Sequence, residues 1–207
     1  MNSISDAHVR NETLQSIHRR RSIRQFTSRP VSQSDVTTIL DAANSAPSAH
    51  NQQSWQFVII EGAKKAELVE LVINSLFRFP RPTSALLRMA ARSISSAPLV
   101  IAVLNTGELI HRGPELFAAA GEEVFDFFRI MEIQSSAAAV ENMLIAATSI
   151  GLSSVWLGIL IMIQKEVLTF LNHPDGEFMA VIPVGYAERE KSGPKKRSLS
   201  SAVTHLR

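Results

Sequence analysis

Arg20-Arg21-Ser22-Ile23-Arg24-Gln25-Phe26 puts three guanidinium groups and a hydroxyl into seven residues. Guanidinium forks, a hydroxyl and backbone N–H groups are the donors that hold a phosphate ester best, because charge-assisted hydrogen bonds are stronger than neutral ones. Taken alone, the run reads better as a solvated basic surface or as a helix C-terminus, where arginines suit the dipole. A second stretch lies about 25 residues on: Ala46-Pro47-Ser48-Ala49-His50-Asn51-Gln52-Gln53-Ser54-Trp55-Gln56-Phe57. It gathers small residues, hydroxyls and three side-chain amides ahead of a strand. Amides offer both donors and acceptors, as the edge of a heterocycle requires. Alone it reads as a polar turn anchored by Trp55.

Between the two stretches stands the best helix-start signal in the chain. Ser32 is placed as N-cap with Asp35 three residues later, and Val31 and Val36 are spaced as a hydrophobic staple. Val36, Ile39, Leu40 and Ala43 then share a face, and Pro47 marks the exit. Outward from this unit, helices are predicted over residues 11–20, 63–76, 83–95, 133–150 and 164–171, with Pro114 at the first position of another. Strands are predicted over 55–60, 98–104, 155–161 and 178–186. The alanines of the 133–150 helix allow close approach by neighbours, so it is expected at the centre, with Gly151 ending it. Helices dominate and the strands are scattered among them, an α+β pattern rather than a regular βαβ alternation.

Composition sets the outer limits. The 207 residues are 45% apolar and 19% charged, enough for a real core in one domain. The expected organisation is a single domain over 1–207, with a short N-terminal arm (about 1–12) and a C-terminal tail (about 188–207). There is no cysteine, which excludes disulfides, thiolate metal sites and cysteine nucleophiles. The longest apolar run, Val155–Ile163, is far short of the roughly 20 residues of a membrane span. No signal peptide is legible, so the expectation is a cytoplasmic protein without membrane contact. Net charge is +2, yet Arg19, Arg20, Arg21, Arg24 and Arg29 fall together with no acid between Glu12 and Asp35. Lys195, Lys196 and Arg197 form a second basic group. Two local clusters on a nearly neutral chain suit a small anionic ligand better than a nucleic acid. The histidines show no metal spacing. No two glycines are separated by one residue, so dinucleotide and Walker A loops are absent.

Taken together, the two opening stretches resemble the FMN-dependent nitroreductase family, whose pattern runs Arg-Arg-Ser-x-Arg-x-Phe and then Ala-Pro-Ser-x-x-Asn-x-Gln-Pro-Trp-x-Phe. Ser54 stands where proline is usual. The resemblance continues through the alanine-rich helix ending in Gly151-Leu152, through Trp156-Leu157-Gly158, and through Pro183-Val184-Gly185-Tyr186 and Pro194-Lys195-Lys196-Arg197. It implies a nitroreductase-like α+β fold: a central, mainly antiparallel sheet flanked by helices, in an intertwined homodimer. It implies FMN as cofactor, NADH or NADPH as transient electron donor, and ping-pong reduction of small flat acceptors such as nitroaromatics or quinones. Flavin destruction, dehalogenation, enone reduction and flavin binding without turnover are the alternatives. By the same resemblance Arg20, Arg21 and Ser22 bind the phosphate and ribityl chain, and Arg24 lies near the pyrimidine end of the ring. Pro47, Ser48 and Asn51 approach from the second subunit. Leu157 and Gly158 cover one ring face, and Lys195 or Arg197 closes on the phosphate. Leucine at 157, where glutamate is common, argues against a side-chain role there. Arg88 and Arg92 are candidates for a further ring contact. No catalytic side chain and no metal ligand is assigned. Phe77, Phe79, Phe117, Phe125, Phe127 and Phe128 are read first as core, with an aromatic wall or lid as the functional alternative.

Overall fold

The apolar run Leu99-Val100-Ile101-Ala102-Val103-Leu104-Asn105 forms a strand buried along its whole length, β2 (Leu99–Asn105). A continuous apolar run suits a strand covered on both faces, since alternate side chains must all find cover. Val100, Ala102 and Leu104 enter one core layer, while Leu99, Ile101 and Val103 enter the other. β1 (Trp55–Ile60) pairs antiparallel with one edge of β2, and β4 (Glu177–Gly185) with the other. The two-residue β3 (Ser153–Ser154) closes the order β1-β2-β4-β3, and every pairing is antiparallel.

The coordinates are a computed structural model that describes residues 11–117, 121–189 and 192–206. Around the sheet stand α1 (Glu12–Arg19), α2 (Gln33–Asn44), α3 (Gly62–Asn74), α4 (Arg81–Ser96), α5 (Glu108–Phe117), α6 (Glu122–Ser149) and α7 (Gln164–Phe170). Leu68 and Val72 of α3, Leu87 and Ile94 of α4, and Val167 of α7 fill one layer. Ile39 of α2 and Val140, Met143 and Ala147 of α6 fill the other. The capping signal is real: Ser32 Oγ accepts the Asp35 N–H at 3.1 Å.

Three expectations change. The strand predicted over 155–161 is a 3-10 helix from Gly158 to Ile163, preceded by the short β3. Leu157, Leu160 and Ile163 are buried while Ile161 and Met162 are exposed. That three-residue spacing is the 3-10 period, hidden within an unbroken apolar run. Pro114 does not open a helix but lies inside α5, where it forfeits the bond to the carbonyl of Ile110. Tertiary contacts to the first turn of α5 override the local signal. Finally, α6 begins at Glu122, not near 133, and runs 28 residues. Two acids in its first turn suit the dipole there.

The end of α6 positions the site. Gly151 has φ +79°, Leu152 N–H donates to Ala147 C=O at 2.8 Å and Gly151 N–H to Thr148 C=O at 3.2 Å. This is a Schellman cap. It turns the chain directly into β3, beside the arginine segment.

Candidate functional site

The arginine segment is an added rail along the sheet edge. α1 stops at Arg19, and Arg20 N–H still donates to Ser16 C=O at 2.9 Å. Beyond it the chain is extended. Ser22 bridges Ser154 in parallel, and Ile23 N–H donates to Ser154 C=O at 3.1 Å. Phe26 bridges Ala187, Thr27 N–H reaches Tyr186 C=O at 2.9 Å, and Glu188 N–H reaches Gln25 C=O at 3.1 Å. Ile23 and Phe26 are buried, while Ser22 ahead of them is exposed and Arg24 between them is half-buried.

The guanidinium groups are arranged unequally. Arg20 Nε lies 3.8 Å from Glu141 Oε1 of α6. Arg21 donates to the carbonyls of His18 (2.6 Å) and Arg20 (2.8 Å). It also lines a cavity of about 600 Å³ with Arg19, Ile23, Thr148, Leu152, Ser153 and Ala187. Arg24 Nε is buried and has no partner, and its Nη1 only reaches Ser22 C=O at 3.5 Å. Ser154 Oγ is likewise buried and unpaired. The tail folds back here: a Cβ at Gly193 would stand 2.6 Å from Arg21 Nε. Lys195 and Arg197, two and four residues on, are exposed.

The second stretch is a strained loop. His50, Asn51 and Gln53 all have φ near +50°, at 52°, 53° and 53°. Left-handed backbone at non-glycine residues costs on the order of 1 kcal/mol or more each and persists only when surroundings over-determine it. They do so here. Ser48 Oγ accepts the Gln53 N–H at 3.1 Å, Ala49 N–H donates to Ser135 Oγ at 3.1 Å, and Gln53 Nε2 donates to Asn51 Oδ1 at 3.0 Å. From α5, Glu108 Oε2 accepts from Gln52 Nε2 at 3.1 Å, and Phe117 meets the His50 ring edge-on at 5.0 Å. Pro47 and Asn51 are exposed and Ser48 is half-buried.

Within one chain these two groups do not meet. Ser135 touches the loop and Thr148 lines the arginine cavity, both on α6. Thirteen residues of helix separate them, about 20 Å at 1.5 Å per residue. Leu157 and Gly158 lie on the rail side. Leu157 N–H and C=O are both bonded to Val181, at 2.9 and 3.3 Å, and its side chain is buried in the core. Gly158 is half-buried beside Trp156. Arg88 and Arg92 are exposed on α4, and Arg88 lines a separate cavity with Ile73, Asn74, Leu76, Phe77 and Ser84.

Of the six phenylalanines, only Phe128 is fully buried, and Phe77, Phe117, Phe125 and Phe127 are exposed. The core reading fails for these four. The sequence places Arg19 in the basic cluster without a task of its own, and gives no sign of Ser154, Ser135 or Glu132. Glu132 stands one residue ahead of the helix predicted over 133–150, so no sequence signal marked it. Its carboxyl is held above the ordinary carboxylate value by burial, then by Glu177, against the Leu109 N–H, the nearby Ser54 hydroxyl and the Ile110 N–H, which lower it.

A four-stranded antiparallel sheet covered by helices on both faces is an α+β arrangement that the chain shares with solved structures. The chain belongs to the nitroreductase family, whose model matches residues 17–186. It is 28% identical over 183 residues to a protein of Archaeoglobus fulgidus named "Putative NADH dehydrogenase/NAD(P)H nitroreductase", covering 87% of this chain and 88% of that one. It is 27% identical over 187 residues to the 5,6-dimethylbenzimidazole synthase of Rhodospirillum rubrum, covering 87% and 84%. Among solved structures it resembles one described as a "putative nitroreductase in complex with fmn" from Desulfovibrio desulfuricans, with TM-score 0.71, 26% identity, and coverage of 95% and 97%.

Proposed function

We propose that this chain is an FMN-dependent oxidoreductase that draws hydride from NADH or NADPH and reduces small flat acceptors, nitroaromatics and quinones among them, in a ping-pong sequence. The observation that carries the reading is the rail itself: a buried, unpartnered Arg24 Nε and an unpartnered Ser154 Oγ, on residues next in sequence to Ile23 and Ser153, which line a cavity with Arg19 and Arg21. Buried polar atoms without partners call for a ligand or water. Cationic forks beside them suit a phosphate ester carrying a polar heterocycle.

Bound FMN would supply the two-electron chemistry, accepting hydride from the nicotinamide and giving it to the acceptor. The residues' tasks are binding and electrostatics. Arg20, Arg21 and Ser22 would hold the phosphate and ribityl chain, with Lys195 or Arg197 closing from the tail. Arg24 would sit by the pyrimidine end and favour negative charge there. Leu157 and Gly158 would pack against one face through the backbone. Pro47, Ser48 and Asn51 would come from a second copy of the chain, because the two halves lie about 20 Å apart along one α6. A two-fold homodimer packed through α6 would bring each half to its counterpart.

Subunit complementation tests this arrangement. Arg21→Ala and Asn51→Ala chains, each poorly active alone, are mixed and allowed to exchange. A heterodimer would then hold one intact site of two, so the mixture should recover about a quarter of parental activity. No recovery after demonstrated exchange would mean that each site is built within one chain.

A further inference from the structure

Glu132 is the most thoroughly buried carboxyl among the described residues, at 1% exposure, and the reading above gives it no task. Its Oε1 accepts the Leu109 N–H at 2.7 Å, so it caps the first turn of α5 from across the fold. Oε2 has no partner, and Ser54 Oγ approaches the same carboxyl without reaching hydrogen-bond geometry. Ser54 itself closes the strained loop, its carbonyl accepting the Thr106 N–H at 2.8 Å. Glu132 therefore stands where α5, α6 and the Ala46–Ser54 loop converge. Farther along α5, Gly113 presses so closely on the Phe128 ring that a Cβ would stand 2.4 Å away, and Phe117 touches both Phe128 and His50.

We propose that Glu132 is a positioning residue that seats α5 against the loop and thereby fixes Phe117 and His50 as one wall of the acceptor pocket. This rests on the reading of the loop as part of the flavin site, where the acceptor must reach the ring. The charged groups on the packed elements are few. Glu177 on β4 is ion-paired with Arg129 of α6, Glu108 receives the Gln52 bond, His111, Arg112 and Glu115 on α5 are exposed, and His50 stands on the loop.

The clasp has a defined pH sign. Burial, followed by Glu177, holds the docked carboxyl above its ordinary 4.5. Undocking α5 rehydrates the group and returns it toward the ordinary value. Docking therefore takes up protons: α5 is held most firmly below the ordinary value, and its hold weakens as pH rises through the raised one. A protonated Oε2 can donate to Ser54 Oγ or Glu177 Oε2, both of which lack partners.

The test is hydrogen exchange of the α5 peptide in FMN-loaded protein between about pH 5 and pH 8, corrected for intrinsic rates, alongside acceptor KM. In the parent, protection of α5 should fall as pH rises. Glu132→Gln, neutral at every pH, should keep α5 protected with no such trend and hold acceptor KM constant. Glu132→Ala should leave α5 unprotected throughout and raise acceptor KM about tenfold, the size of a lost hydrogen bond to a charged group. The proposal is overturned if Glu132→Gln retains the parental pH trend, or if Glu132→Ala leaves protection and KM at parental values. Should the alanine variant misfold, the glutamine variant decides alone. FMN binding and its reduction by NADH are read in the same samples. Their failure beside the expected exchange pattern would remove the functional reading and leave the clasp standing.

Discussion

Arg21 lies across the backbone of Gly193, so close that a Cβ there would stand 2.6 Å from Nε and 3.0 Å from Cζ. The tail thus depends on a residue without a side chain to reach the rail, with Lys195 and Arg197 two and four residues farther on. Gly193→Val should displace either the tail or Arg21. The expected result is FMN binding weakened about tenfold, equivalent to about 1.4 kcal/mol, with the thermal midpoint of the FMN-free protein unchanged. Fluorescence titration with FMN and a melting curve read both.

Arg24 combines a buried, unpaired Nε with a place at the sheet edge. Arg24→Ala should lower the flavin midpoint potential and slow reduction by NADH, because the guanidinium would stabilise charge on the reduced ring. A spectroelectrochemical titration checks the first and stopped-flow bleaching the second. Unchanged values in both would remove Arg24 from the role.

Gly151 makes the turn that delivers β3 to the rail, with φ +79° and no atom within 4 Å of a would-be Cβ. Gly151→Ala therefore costs conformation alone, about 1–2 kcal/mol. For a chain of this size each kcal/mol lowers the melting midpoint by roughly 2–4 °C. Gly151→Asn should recover part of the loss, since asparagine tolerates the left-handed region. Calorimetry on the three proteins gives the comparison.

Arg78 and Glu166 form a half-exposed ion pair between the 3-10 turn that follows α3 and helix α7. The hydrogen bond from Arg78 holds the Glu166 carboxyl below its ordinary value. A depressed folded value means stabilisation that is present above the unfolded 4.5 and lost as pH falls through the lower folded value. Arg78→Ala should thus lower stability at neutral pH by less than about 1 kcal/mol, as surface pairs do. The deficit should vanish at strongly acid pH. Denaturant unfolding at the two pH values measures it.

The parts legible in the sequence were those whose signals are local. Ser32 announced α2, the apolar run around Ile101 announced the central strand, and Gly151 announced the end of α6. What escaped was fixed by tertiary contact. The 3-10 helix from Gly158 was concealed because every residue from Val155 to Ile163 but one is apolar, leaving no contrast by which to read a period. Helix α5 was misjudged because its start is set by Glu132, some 23 residues away in sequence, rather than by Pro114. The candidate site shows the same division. The arginines and the Ser48–Asn51 loop stand out as clusters, whereas Ser154 and Glu132 matter only for what surrounds them. The 20 Å gap between the two halves is a property of α6 packing that no motif expresses.

The most direct test is anaerobic. Protein reconstituted with FMN and freed of excess is mixed with stoichiometric NADH or NADPH, then with a nitroaromatic or a quinone. The account predicts a yellow protein whose flavin bands bleach with at least one nicotinamide and return when acceptor is added after the oxidised nicotinamide has been removed. A protein that retains no FMN, or retains it but is not bleached by either nicotinamide, would contradict it.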